Sequence, residues 1–130
     1  MSDAVIFSDL MAHLVSRLNA SLTAQSRTDV RVAIRADDSP SQVILRRDGG
    51  NSAGKTLMDS AIGVNIYETT YARAEGLALL VSALFDDLPD GNPITQTSVQ
   101  SSIQDVTDLR GERRFMRFSV THRGSNLNPN

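Results

Sequence analysis

The sequence contains no cysteine and no tryptophan in 130 residues, and only one of its 13 basic residues, Lys55, is a lysine. The missing thiols exclude disulfides, thiolate metal centres and cysteine nucleophiles. The bias toward arginine is assigned to a GC-rich genome before any function. Aromatic residues are scarce at 5%, while 40% apolar and 22% charged residues are ordinary for a soluble protein. A net charge of −2 gives no general attraction to nucleic acid or to an anionic membrane. No apolar run approaches the ~20 residues that cross a bilayer. The start, MSDAVIFSDL, lacks the basic end and apolar stretch of a signal peptide. These readings predict one soluble domain over residues 1–130, made and used in a cytoplasm, with residues 124–130 as a flexible tail.

What is present has a clear centre. From Ile62 to Tyr67 apolar and polar residues alternate, the period of a half-buried strand. From Ala74 the apolar positions are Ala74, Leu77, Ala78, Val81, Leu84, Phe85 and Leu88, one face of a helix that Thr69 or Thr70 can cap. Before this unit, Asp3 to Thr23 reads as an amphipathic helix, with Phe7, Leu10, Met11, Leu14, Val15, Leu18 and Leu22 on one face and Ser2 or Asp3 as cap. Asp29–Ala36 alternates as a strand with Val30, Val32 and Ile34 inward. Its short link to a second strand, Gln42–Arg47, predicts a β-hairpin. Asp48–Ser60 reads as a long polar loop. After the central unit come a weaker strand at Ile94–Val106, a turn at Asp108–Gly111 and a last strand at Arg113–Arg123. The expected fold is α+β, with two helices packed on a mainly antiparallel sheet in the order α-β-β-β-α-β-β.

The sharpest chemical motif is GGNSAGKT, Gly49–Thr56, which matches the phosphate-loop pattern G-x-x-x-x-G-K-[ST] at Gly49, Gly54, Lys55 and Thr56. Backbone amides would cradle phosphates, Lys55 would reach the terminal phosphates and Thr56 would meet magnesium. That chemistry needs a helix directly after the loop. Leu57–Ala61 allows only one turn before the alternating strand, so a hairpin loop is the competing reading. His13 and His122 belong to no metalloprotease pattern, and there is no G-x-S-x-G elbow. Asp86, Asp87 and Asp90 suggest a cation site less than they suggest the charged end of a helix. They oppose the helix dipole, an oddity that a basic neighbour would answer. No catalytic residue, metal ligand or cofactor is expected.

Arginines gather in two groups: Arg31, Arg35, Arg46 and Arg47 on the first strand pair, and Arg110, Arg113, Arg114, Arg117 and Arg123 near the C-terminus. If they meet, they form a surface for a protein partner or for passing nucleic acid. The interface candidates are Arg31, Arg35, Arg46, Arg47, Asp48, Lys55, Arg113, Arg114 and Arg117. A solvated sheet face balanced by the 15 acids is the plain alternative. Aromatic residues are not interleaved among the arginines as stacking platforms, which disfavours a dedicated single-strand binder.

The leading helix DLMAHLVSRL, the pair VRVAIRA and SQVILRR with its long loop, the unit VNIYETTYARAEGLALLVSALFDDLP and the closing strand RRFMRFSVTHRGS together resemble the tail-terminator (tail-completion) proteins of long-tailed bacteriophages. The likeness covers residues 3–124 and rests on element order and texture. It implies small α+β subunits that close into a hexameric ring on the tail tube and stop its polymerisation. The ring would offer a surface to the head–tail connector protein and let phage DNA pass through its lumen without sequence recognition. It further implies a virion protein assembled in the host cytoplasm, without enzyme activity, cofactor or membrane contact. By position, Asp48–Ser60 is similar to loops used there at ring or tube contacts. A head-completion or connector protein of the neck is the alternative. A small nucleotide-binding protein built on Gly49–Thr56 is the third reading, and a cellular interaction domain the fourth.

Overall fold

The structure, a computed structural model, describes residues 5–7, 9–52, 54, 56–91, 93–108 and 111–126. Its elements are β1 (Val5–Ile6), α1 (Leu10–Ala24), β2 (Arg31–Ala33), β3 (Gln42–Ser52), β4 (Leu57–Glu68), α2 (Tyr71–Asp86), β5 (Ile94–Asp108), β6 (Gly111–Arg123) and β7 (Ser125–Asn126). β1 and β7 pair with each other as a small ribbon. The other five strands form one mixed sheet in the order β2-β3-β4-β6-β5. Both helices lie on one face of that sheet, so the α+β architecture and the α-β-β-β-α-β-β order of the main elements hold.

Helix α1 places Leu10, Leu14, Leu18 and Leu22 on one buried stripe, four residues apart. It begins later than the apolar spacing suggests. Asp9 caps it, its carboxylate accepting the Ala12 amide at 3.1 Å, and the preceding Val5–Ile6 is extended. Ser2 and Asp3, the expected caps, lie outside the described residues. Within the stretch expected to fray, Ser125 and Asn126 are tied down as β7.

The expected hairpin between the first two strands is corrected. β2 runs parallel to β3, with Val32 beside Val43. The reversal that a hairpin needs is replaced by a return loop wound around one buried side chain, Gln42. Its Nε2 donates to the carbonyls of Asp37 and Ser39, both at 2.9 Å. Its Oε1 accepts the Asp37 amide at 3.1 Å. The loop therefore folds back on the start of β3 and β2 keeps only three residues. Val30 and Val32 are buried as expected, but Ile34 has left the strand and is 56% exposed.

Asp48–Ser60 is not an irregular loop. β3 and β4 stay paired as far as Ser52 opposite Met58, with a bulge between Arg47 and Gly50. Gly49 takes φ +118 in that bulge, a conformation open mainly to glycine. β4 is the central strand. It is paired with β3 on one side and along its whole length with β6 on the other. The weak strand after α2 becomes β5, fifteen residues long, and three register irregularities explain its poor alternation.

The core forms where Ile62, Val64 and Ile66 of β4, Val43 and Leu45 of β3 and Met116, Phe118 and Val120 of β6 meet the two helices. Thr70 caps α2 by accepting the Arg73 amide, and the helix buries Ala74, Leu77, Ala78, Val81 and Phe85. Phe85 stacks on Phe118 with centroids 4.2 Å apart.

One contact seals an edge of this sheet. Asn19 of α1 donates from Nδ2 to the Val32 carbonyl at 3.2 Å and accepts the Val32 amide on Oδ1 at 3.3 Å. A carboxamide thus supplies both the donor and the acceptor that a neighbouring strand would supply, and blunts β2 as a template for strand addition. Asn19→Ala is expected to cost ~1–3 kcal/mol in urea unfolding, because the two Val32 groups lose partly buried partners. The same variant should aggregate at lower concentration in light scattering.

Candidate interaction surface

The strand period assigns the two sides of the sheet. In β6, Arg114, Met116, Phe118, Val120 and His122 are buried toward the helices, while Arg113, Phe115, Arg117, Ser119 and Thr121 point to the other side and are half-buried. Neither α1 nor α2 covers that second side. Across it the register makes two informative rows: Arg46, Gly63 and Arg117 from β3, β4 and β6, and next to them Ile44, Asn65 and Phe115.

The first row is built around Asp48. Its Oδ1 accepts Arg46 Nε at 2.6 Å, and its Oδ2 accepts Arg117 Nε and Nη2 at 3.1 and 2.9 Å. The carboxylate therefore crosses the central strand and ties β3 to β6. Gly63 makes this possible, since a Cβ there would lie 2.7 Å from Asp48 Oδ2. Hydrogen bonds from Arg46, and then from Arg117, hold the Asp48 carboxyl below its ordinary range. Two guanidiniums on one carboxylate leave the cluster with an excess positive charge, and Arg46 is 62% exposed. Beside it Arg117 lies over the Phe115 ring and Arg113 over Tyr67, each 5.4 Å from the centroid. Arg113 also donates to Asn65 Oδ1. The open face is thus lined by arginine–aromatic pairs, which corrects the expectation that aromatics are not interleaved among the arginines: Phe115 and Arg117 are two apart on β6, while Arg113 reaches Tyr67 across to β4.

The other arginines separate. Arg31 is spent on its own loop, donating to the Arg35 carbonyl and pairing with Asp37. Arg35 and Arg47 are exposed away from the cluster. Arg114 is fully buried and so does not belong to the surface. It meets Glu75 at 2.7 Å, Asp105 at 3.0 Å and Glu112 at 3.1 Å, and lies over the Tyr71 ring. It joins α2, β5 and β6 inside the protomer. Lys55 and Arg110 lie outside the described residues.

A second internal network, unseen in the sequence, surrounds Glu68 at the end of β4. Its buried carboxylate accepts Ser41 Oγ, the Thr69 amide and Arg73 Nε. Arg73 continues to Asp29, which Arg27 also holds. The linkage fastens the α1–β2 connection and the start of α2 to the same strand end.

The phosphate-loop residues do not make a phosphate site. Gly49–Ser52 belong to β3 and β4 starts at Leu57, so a strand follows where a helix N-terminus is required. Ala53 and Lys55 lie outside the described residues. Among the described residues no group of three or more histidines, aspartates or glutamates is placed to hold a metal. Neither α1 nor α2 is long and apolar enough to cross a membrane. His13 is half-buried on α1, and burial followed by the charge of Arg17 lowers its pKa. His122 is buried and sits edge-on to Phe7.

Two depressions mark the surface. A polar one of about 390 Å³ lies on the open face beside Asp48, Asn51, Asp59, Gln100 and Ser119. An apolar one of about 400 Å³ runs between α1 and β2, lined by Met11, Val15, Val32 and Ile34 with Asp9 at its end. No protein-family model and no curated protein matches the chain.

Two measurements check this description. Gly63→Ala should destabilise the fold by ~1–3 kcal/mol, as a close contact forces the Asp48 carboxylate away. In an Asp48→Ala background the same change should cost less than half as much, a coupling that a double-mutant cycle reads directly. For His122, burial and then the charge of Arg47 lower the pKa from its ordinary 6.5. The unfolded chain takes up that proton first, so this stability is present above about pH 6.5 and lost as pH falls through the lower folded value. The melting temperature should therefore fall between about pH 7 and pH 5, and His122→Leu should show a shallower fall.

Proposed function

We propose that this protein is a phage tail terminator: a ring-forming virion protein that caps the tail tube, stops its growth and joins it to the head. What carries the reading is the uncovered side of the sheet. Both helices bury the other side, while Asp48, Arg46, Arg117, Phe115 and Tyr67 keep this side polar and internally paired. Such a surface suits contact with another protein better than it suits turnover of a small molecule. The protein acts without catalysis or cofactor. Its partners are copies of itself, the tail tube protein and the head–tail connector, and phage DNA passes through without base readout. The likeness of element order to tail terminators supports the same reading.

The test is negative-stain electron microscopy of lysates from a phage lacking this gene. Overlong tubes of unequal length, detached from filled heads, are expected. Normal-length tails beside tailless heads would move the protein to the head side of the joint, as a neck connector. Intact infectious particles would overturn a virion role.

A further inference from the structure

The two flanks of the sheet differ in a way that the fold alone does not require. On the β2 flank, Asn19 occupies the outward amide and carbonyl of Val32, so strand addition at β2 is blocked. β2 ends at Ala33, and among the described residues no strand covers β3 beyond Ile44. The groove between α1 and β2 opens on this same flank, with Ile34 standing 56% exposed at its rim. Arg35 and Arg47 are exposed here without an ion pair. The acids here without a cation are Asp38 and Asp9, whose carboxylate caps α1.

The opposite flank, four strand spacings or roughly 19 Å away, is β5. Its outer edge has no neighbour among the described residues. Its sequence, ITQTSVQSSIQDVTD, contains two acids and no basic residue. Val99 projects from it with 51% of its surface exposed. Thr97 of β5 donates to the Phe85 carbonyl at the end of α2, which brings Asp86 and Asp87 beside this flank. Both acids are exposed and unpaired at the negative end of the helix dipole. Each is unfavourable there unless a cation arrives from outside the protomer.

We infer that copies of this chain associate head to tail, the β5 flank of one copy seating on the α1–β2 groove and free β3 edge of the next. Val99 enters the groove beside Ile34, and Asp86 and Asp87 face Arg35 and Arg47. An apolar knob and an apolar groove on opposite flanks make a heterologous contact, which closes into a ring when its rotation closes. The opposed charges fix which flank meets which. This deepens the ring reading above and rests on it.

The experiment uses the full chain, with mass determined by native mass spectrometry and light scattering. Wild type should give one oligomeric mass. Val99→Asp and Ile34→Asp should each give monomers with unchanged circular dichroism, since both side chains are surface-exposed. Val99→Ser and Ile34→Ser replace them if aspartate lowers the melting temperature. Mixed in equal amounts, the two variants retain one intact groove and one intact knob between them, and should form a 1:1 dimer and nothing larger. Leu79→Asp, on the exposed side of α2, should keep the wild-type mass. Oligomers that survive both flank variants, or a mixture that stays monomeric, would overturn the flank assignment. So would wild type that remains monomeric up to about 1 mM, a concentration that reveals even millimolar affinities. None of these results changes tail length in the gene-deleted phage, so failure of the flanks and failure of the capping role are read separately.

Discussion

Everything in this fold is referred to the central strand β4. It has a neighbour on each side and a helix layer over one face, so its alternate residues must meet two different requirements. Ile62, Val64 and Ile66 are buried to no measurable exposure beneath the helices. Gly63, Asn65 and Tyr67 look the other way, and there polar and charged groups are arranged across three strands. Gly63 leaves the space through which the Asp48 carboxylate reaches both Arg46 and Arg117. A residue chosen for having no side chain thus decides how the uncovered face is charged.

The ends of the same sheet are held by buried charge. Arg114 gathers carboxylates from β5, β6 and α2, and Glu68 gathers cations from the α1–β2 connection and from α2. Exchanging a buried ionic group for an apolar one is often neutral or stabilising, while removing a single partner is costly. Both networks join helices to strand ends, where apolar packing alone leaves the angle of approach loosely fixed. Their contribution is registry of the helices on the sheet. Asn19 adds control of the sheet edge.

The main elements are legible in the sequence because their apolar periods are strong. The unit from Ile62 to Leu88 holds closely, down to Thr70 as the cap of α2. The misreadings have local causes. A short link with Asp37, Asp38 and Pro40 looks like a hairpin turn, but the Gln42 carboxamide winds it into a parallel return. The glycines of Asp48–Ser60 suggest a loop and instead form a bulge in a longer ladder. Arg114 cannot be separated from Arg113 and Arg117 by composition; only the strand period and the three nearby acids mark it as internal. Gly63 and Asn19 gave no signal in one dimension, because their partners are cross-strand or on another element.

Among the described residues, what remains unspent is shape: a sheet face that neither helix covers, open edges on β3 and β5, and exposed acids at the wrong end of α2. On these features rests our proposal that the chain works inside an assembly. The most direct measurement of that claim is immunogold electron microscopy of purified particles carrying an epitope tag on this chain. The account predicts gold at one site per particle, the junction of tail and head. Particles with no label, when the tagged chain is abundant in the same lysate, would contradict it.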